Sequence, residues 1–111
     1  MPDAQMKRGL LEHCVLAALA RGDSYGYQIV KDLSAVVPVT ESTLYPILRR
    51  LEGAGALSVY SVEHNGRLRK FYRLTEPGRE QLRRFADDWG EIASMYDFIR
   101  GGLEHDENRI P

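Results

Sequence analysis

Residues 40–53 read TESTLYPILRRLEG, and the pattern within them decides the fold. Thr40 is a favoured N-cap residue, so it predicts a helix from Glu41 to about Gly53. Apolar residues repeat the i, i+3, i+4, i+7 spacing of one buried helix face: Leu44, Ile47, Leu48 and Leu51. Opposite or beside that face lie Ser42, Thr43, Tyr45, Pro46, Arg49 and Arg50. The helix therefore docks through one face and presents the other outward.

Two helices are predicted before this stretch. The first covers residues 7–20, where an apolar stripe again follows helical spacing. Ser24 is the expected N-cap of the second. That helix should close near residues 36–38, because Pro38 disfavours helical geometry in the residue before it.

A β-hairpin is predicted after the third helix. Residues 57–62 and 68–74 are rich in β-branched and aromatic types, and Asn65-Gly66 between them is a strong signal for a tight turn. The hairpin tip is basic, with Arg67, Arg69 and Lys70. Arg69 and Lys70 are adjacent in a strand, so they should point to opposite faces.

A long helix is predicted to follow, capped by Thr75. Its apolar residues are spaced alternately by three and four: Leu82, Phe85, Trp89, Ile92, Tyr96 and Ile99. This is the seam of a coiled coil, and so small a domain cannot cover it, so a homodimer through these six residues is the simplest arrangement. Gly101-Gly102 should end the helix, which leaves residues 103–111 as an expected disordered tail.

The predicted fold class is therefore mainly α with a two-stranded β wing. Residues 1–74 form a winged helix-turn-helix DNA-binding domain, and residues 75–102 form a dimerisation helix. In such a domain the third helix reads base edges while the hairpin reaches the phosphates.

The distribution of charge favours double-stranded DNA as a partner. The net charge is only −1, but residues 40–84 carry nine basic and five acidic side chains, and residues 85–111 carry two basic and seven acidic ones. A basic middle beside an acidic end is typical of a protein with one polyanion-binding region. The residues expected to contact DNA are Thr40, Ser42, Thr43, Tyr45, Pro46, Arg49, Arg67, Arg69 and Lys70. The alternative is a solvated charged face, and Tyr45 could instead pack against the body.

Other classes of protein find little support in the sequence. There is no phosphate-binding glycine loop, nucleophile elbow or HExxH motif, which argues against an enzyme. His13, His64 and His105 lie far apart, so we assign no metal and no cofactor. The lone Cys14 lies on the apolar stripe of the first helix and is interpreted as a buried structural thiol. No segment resembles a membrane span or a signal peptide, so a cytoplasmic location is expected.

Four segments of the sequence resemble the PadR-type transcriptional regulators. They are LLEHCVLAAL, DSYGYQIVKDL, ESTLYPILRRLEGAGAL and GRLRKFYRLTEPGREQL, and together they place the resemblance over about residues 9–100. The resemblance implies a dimeric repressor that binds an inverted repeat and is released by small molecules or other cues. The single C-terminal helix is similar to that of the small-chain subgroup. In some members of that subgroup a tryptophan at the position of Trp89 stacks on flat aromatic drugs across the dimer.

Two questions stay open at this point. Trp89 is either part of the dimer core or a platform for a small aromatic or cationic ligand together with Phe85, Asp88 and Ile92, and the two roles are compatible. The main alternative function is a winged-helix module that binds a protein and has no specific DNA target. Such modules usually lose the basic residues that this chain keeps in its third helix and hairpin.

Overall fold

The protein is described from a computed structural model, which covers residues 4–109. Its elements, in chain order, are α1 (Ala4–Ala20), β1 (Ser24–Tyr25), α2 (Gly26–Leu33), α3 (Glu41–Gly53), β2 (Leu57–His64), β3 (Arg67–Leu74) and α4 (Glu76–Glu107). Three short helices, a hairpin and a long helix are the elements of the predicted winged helix-turn-helix. The fold class is therefore confirmed.

One hydrophobic core lies between the first three helices and the inner face of the sheet. Its largest fully buried side chains are Leu16, Ile29, Leu44, Leu48 and Val15. Burying an aliphatic side chain of this size contributes about 1.5–3 kcal/mol. These contacts hold α3 rigidly by its apolar face, which fixes the direction in which its polar face points.

The predicted caps of α3 and α4 are both present. The side chain of Thr40 accepts a hydrogen bond from the Thr43 N–H at 3.3 Å, and that of Thr75 accepts one from the Gly78 N–H at 3.1 Å. Each cap satisfies an N–H group that the first helical turn leaves without a partner. The α3 boundaries are those predicted from its sequence.

The sheet is antiparallel, with strand order β1-β3-β2. Asn65 and Gly66 have φ of 52° and 79°, and His64 pairs with Arg67 across them, as expected of a two-residue hairpin turn. The third strand was not predicted. Ser24 lies in β1 opposite Tyr72 and is not the N-cap of α2, a position that Tyr25 takes without a side-chain hydrogen bond.

The last helix is longer than the sequence suggests. It continues through Gly101-Gly102 to Glu107, so the prediction that this pair ends it is wrong. Residues 103–107 are helical, and residues 110–111 of the expected disordered tail lie outside the described residues. Two glycines cost about 1 kcal/mol each in a helix, and the helix-forming residues that flank them can outweigh that cost. An ion pair between Arg100 and Glu104 (N···O 3.9 Å) spans the two glycines.

Candidate nucleic-acid interface

The outward face of α3 is polar and exposed. The exposed residues of this face are Ser42, Thr43, Tyr45, Pro46 and Arg49, while the stripe of three leucines and one isoleucine on the other side is buried. Arg49 forms no ion pair with any described residue, so its guanidinium group is free to meet an external acceptor. Such a face carries the donors and acceptors needed to contact base edges and phosphates.

The N-terminus of α3 concentrates hydroxyl groups. The Thr40 hydroxyl lies 3.0 Å from that of Ser42 and 3.2 Å from that of Thr43. All three side chains are exposed, and they surround the positive end of the helix dipole. This end of α3 therefore favours a negatively charged group.

The three basic residues of the wing that are predicted to contact DNA lie in three different environments. Arg67 lies at the exposed tip beside the Asn65-Gly66 turn and forms no ion pair with a described residue. The Arg69 guanidinium lies 4.2 Å from the ring centroid of Tyr25. Lys70 points to the other face of the strand, where its Nζ lies 5.5 Å from the Tyr72 ring centroid and 3.9 Å from Glu52.

A groove of about 560 Å³ separates α2 and α3 from the exposed edge of β3. It brings Tyr45 of α3 together with Arg69 and Lys70 of the wing, three residues predicted as DNA contacts. Burial, then the nearby Glu41 carboxylate, raises the pKa of Tyr45. Its hydroxyl, like that of any tyrosine, is protonated at neutral pH and can donate a hydrogen bond. Tyr45 lies against Gly26 of α2 and is 37% exposed, so it packs against the body while part of its side chain stays accessible. Its contact with DNA stays a prediction.

Three further tyrosines that the sequence analysis did not select line this groove: the buried Tyr72 of β3, and Tyr25 and Tyr27 near the start of α2. Tyr25 carries the stacked Arg69, and Tyr27 is well exposed at the first turn of α2. Both flank Gly26, and the sequence Tyr25-Gly26-Tyr27 is the signal that could have found them. Their position depends on the pairing of β1 with β3, which is not visible in the local pattern.

The outer face of the sheet carries an aromatic and charged cluster at the base of the wing. The Phe71 ring stacks on Tyr60 with centroids 5.6 Å apart and meets Tyr25 edge-on at 5.3 Å. Asp23 accepts hydrogen bonds from the Tyr60 hydroxyl at 2.7 Å and from Arg73 Nε at 3.1 Å. The bond from Tyr60, together with Arg73, holds the pKa of Asp23 below its ordinary value, against a smaller opposing effect of burial. This cluster fixes the wing to the β1 strand and hence to α2.

The predicted seam of α4 divides into two parts. Leu82 packs against the core, and Phe85 stacks on His13 of α1 with ring centroids 3.7 Å apart. His13 is also bound to the Gly9 carbonyl oxygen (2.7 Å from Nδ1) and lies 3.3 Å from the Gln81 amide nitrogen. Trp89 is half-buried against Phe85, at 5.6 Å between centroids. Beyond it, large apolar side chains are exposed: Ile92, Met95, Tyr96, Phe98, Ile99 and Leu103.

The remaining candidates add no chemistry. Cys14 is half-buried and packs against the core. Within residues 4–109 no group of three or more metal-ligating side chains comes together. Across the same residues, no helix is both long and apolar enough to cross a membrane.

Comparison with known proteins identifies relatives along most of the chain. The profile of the transcriptional regulator PadR-like family matches residues 15–84. Transcriptional regulator Rv3488 of Mycobacterium tuberculosis is 29% identical over 102 residues, which are 91% of this chain and 92% of that protein. A PadR-like transcription factor from Bacteroides fragilis is 36% identical and superposes with a TM-score of 0.76, over 86% of this chain and 95% of the other.

A more distant structure shares the fold. Bacillus subtilis PadR, solved in complex with operator DNA, has a TM-score of 0.62 and 24% identity, over 68% of this chain and 45% of that one. This protein and Bacillus subtilis PadR therefore share the winged arrangement of helices and hairpin.

Proposed function

The chain belongs to the PadR-like family of transcriptional regulators, which are not enzymes, and we propose that it is a homodimeric repressor binding an inverted-repeat operator. The observation that carries the proposal is the outward face of α3, which is polar, exposed and held rigidly by a buried apolar stripe. Bacillus subtilis PadR, which shares this fold, was solved in complex with operator DNA, and this supports DNA as the partner.

In the proposed complex α3 lies in the major groove. Arg49 has the free guanidinium group and the exposure needed to bind a guanine edge with two hydrogen bonds. Ser42 and Thr43 meet base edges or phosphates near the α3 N-terminus, beside Thr40. Tyr45 and Pro46 lie on the surface of α3 that faces the DNA.

The wing contacts the DNA backbone. Arg67 at the tip reaches a phosphate or the adjacent minor groove, where cations are attracted. Arg69 and Lys70 point to opposite faces of β3, so they bind on either side of the wing. A protein built this way has a steep dependence of affinity on salt concentration, because each neutralised phosphate releases counterions.

A second subunit covers the exposed part of α4. Six large apolar residues are exposed on its C-terminal half, more than a small soluble monomer usually presents in one place. The predicted seam comprises Leu82, Phe85, Trp89, Ile92, Tyr96 and Ile99. Leu82 and Phe85 already pack within their own subunit, so the proposed interface centres on the exposed Ile92, Tyr96 and Ile99. A two-fold dimer formed there presents two copies of α3 to the two halves of a palindrome.

The seam also supports an effector site. Trp89 is half-buried and stacked on Phe85, so part of its ring stays open to a flat partner, with Ile92 beside it on the same face. Asp88 favours a cationic ligand. A small aromatic or cationic molecule bound between the two subunits would change their spacing and release the operator.

The first test is fluorescence anisotropy of the protein on the DNA upstream of its own gene, at two salt concentrations, against random DNA of equal length. Arg49→Ala should weaken operator binding more than random binding, since base contacts carry the sequence preference. Arg84→Ala, an exposed arginine of α4, is the matched control and should change neither.

Equal losses on both DNAs would mean that Arg49 contacts phosphate alone. If the upstream DNA binds no better than random DNA, either the operator lies elsewhere or the winged helix serves a protein partner.

A further inference from the structure

A second cleft, of about 440 Å³, lies between α1 and α3. It is on the other side of α3 from the groove lined by Tyr45, Arg69 and Lys70, which we call the wing groove. Positions 4, 7, 8 and 11 of α1 form one wall, and positions 43, 46, 47 and 50 of α3 form the other. Both sets follow the i, i+3, i+4, i+7 spacing, so each wall is one face of a helix. Val37 and Pro38 close one end. The volume falls within the range of roughly 300–1,000 Å³ that is typical of small-molecule sites.

The cleft has an apolar floor and a basic rim. Leu11, Ile47 and Val37 are half-buried or buried, and they cover the floor together with two prolines. The charged residues of the rim are Lys7, Arg8 and Arg50, and no described acidic residue lines the cleft. Such a combination suits a ligand with an apolar body and a negative charge.

The three cations are not equally available. Arg50 is held by the half-buried Glu12, with 2.7 Å between Nη1 and Oε1, so most of its charge is compensated. Lys7 and Arg8 are exposed, and neither forms an ion pair with a described residue. They lie next to each other along α1, and both line the cleft. Within residues 4–109, theirs is therefore the rim charge that no carboxylate compensates.

We propose that this cleft binds a small amphipathic carboxylate. The apolar body displaces water from Leu11, Val37 and Ile47, and the carboxylate pairs with Lys7 or Arg8. A cation of the same shape would meet the unpaired rim charge, and a neutral molecule would leave it unused. DNA phosphate shares the negative charge but has no apolar body to cover the floor, so the apolar contact favours the carboxylate.

The site has a consequence for DNA binding that rests on the proposed function. Thr43 and Pro46 line the cleft and also belong to the face of α3 proposed to contact DNA. A ligand in the cleft therefore occupies space beside the part of α3 that is proposed to contact DNA. The carboxylate and the operator then compete for binding to the protein. This site is separate from Trp89 of α4.

The test is a two-dimensional ¹H–¹⁵N NMR titration with sodium octanoate, with octylamine and octan-1-ol as probes of equal chain length. Octanoate should shift the amide signals of Leu11, Val37 and Ile47 and bind more tightly than octylamine. The double variant Lys7→Gln/Arg8→Gln should weaken octanoate binding by about two- to fivefold, as expected for the loss of an ion pair made at an exposed site. The matched control Arg83→Gln/Arg84→Gln removes two positive charges from α4 and should leave octanoate binding unchanged.

Three results would overturn the proposal: equal binding of octanoate and octylamine, shifts confined to the apolar residues of α4, or no effect of the Lys7/Arg8 substitutions. If those substitutions instead lower only the salt dependence of DNA binding, the two cations serve phosphate. The titration needs no DNA, so a protein that binds octanoate but no operator would refute the proposed function and leave the cleft proposal standing.

Discussion

Gly78 shows how one residue fixes the angle between α4 and the winged domain. It is buried, and a Cβ there would overlap the carbonyl oxygen of Ala56, which accepts a hydrogen bond from the Thr75 N–H at 3.1 Å. Because that carbonyl is backbone and already bonded, it cannot give way easily. We expect Gly78→Ala to lower the free energy of unfolding by about 1–3 kcal/mol, the usual cost of overpacking, in urea denaturation followed by circular dichroism.

The matched control is Gly53→Ala at the end of α3, where an added Cβ meets no atom within 4 Å. Its stability should stay the same or rise slightly, because alanine is the better helix former. Equal free energies of unfolding for the two variants would show that Gly78 and Ala56 are not closely packed.

Asp23 makes the stability of the wing depend on pH. The pKa of its carboxyl is lowered in the folded state by the hydrogen bond from Tyr60 and by Arg73. Because this pKa is lower in the folded protein than in the unfolded chain, ionised Asp23 stabilises the fold. That stabilisation is fully present above the ordinary pKa of about 3.9, and it is lost as the pH falls through the pKa of Asp23 in the folded protein. We expect Tyr60→Phe to raise the pKa of Asp23, measured by NMR titration of the carboxyl carbon.

The control is Tyr27→Phe, since the exposed Tyr27 hydroxyl makes no hydrogen bond with a described residue. An unchanged pKa of Asp23 in Tyr60→Phe would mean that Arg73 alone is responsible. Asp23→Asn should remove this part of the acid dependence of unfolding.

At the scale of elements, α4 combines a covered half with an uncovered half. Ile99 is 68% exposed, so its side chain contributes little to the stability of a single subunit. We expect Ile99→Glu to weaken self-association strongly in sedimentation velocity while leaving the unfolding of the winged domain unchanged, because the charge would be buried only in the dimer. Ser94→Glu on the opposite side of α4 is the control and should remain associated. If Ile99→Glu sediments as the parent does, the interface lies elsewhere.

The elements differ in how far the sequence predicts them. The bounds of α3 follow from local features, the Thr40 cap and a four-residue apolar stripe, and the hairpin turn follows from Asn65-Gly66. Strand β1 could not be predicted, because two residues become a strand only through pairing with Tyr72 and Phe71, far along the chain. The stack of His13 on Phe85 is missed for the same reason. The wing groove likewise depends on how distant elements pack.

The whole molecule is elongated. Its dimensions are 69 × 27 × 24 Å, and the radius of gyration is 17.7 Å, against about 13 Å for a compact chain of this length. The 32 residues of α4 span about 48 Å, which is more than the 27 Å and 24 Å of the two shorter dimensions. The hairpin, residues 57–74, carries four basic side chains and one acidic one, whereas residues 92–107 of α4 carry one basic and four acidic ones. The molecule therefore separates the surface proposed for DNA from the surface proposed for its second copy.

That separation predicts how a shortened chain behaves. The core cluster ends with Leu82 packed against it, and every described residue after Trp89 is exposed, so a chain of residues 1–90 should keep its fold. Without the apolar half of α4 it should be monomeric and present one copy of α3. Because the slope of log K against log salt scales with the number of phosphates contacted, we expect about half the slope of the parent. Ile99→Glu, which keeps the whole helix, should give the same halved slope. A shortened chain that retains the parent's slope and affinity would show that one subunit makes all the DNA contacts, and that the exposed face of α4 serves some purpose other than pairing two copies of α3.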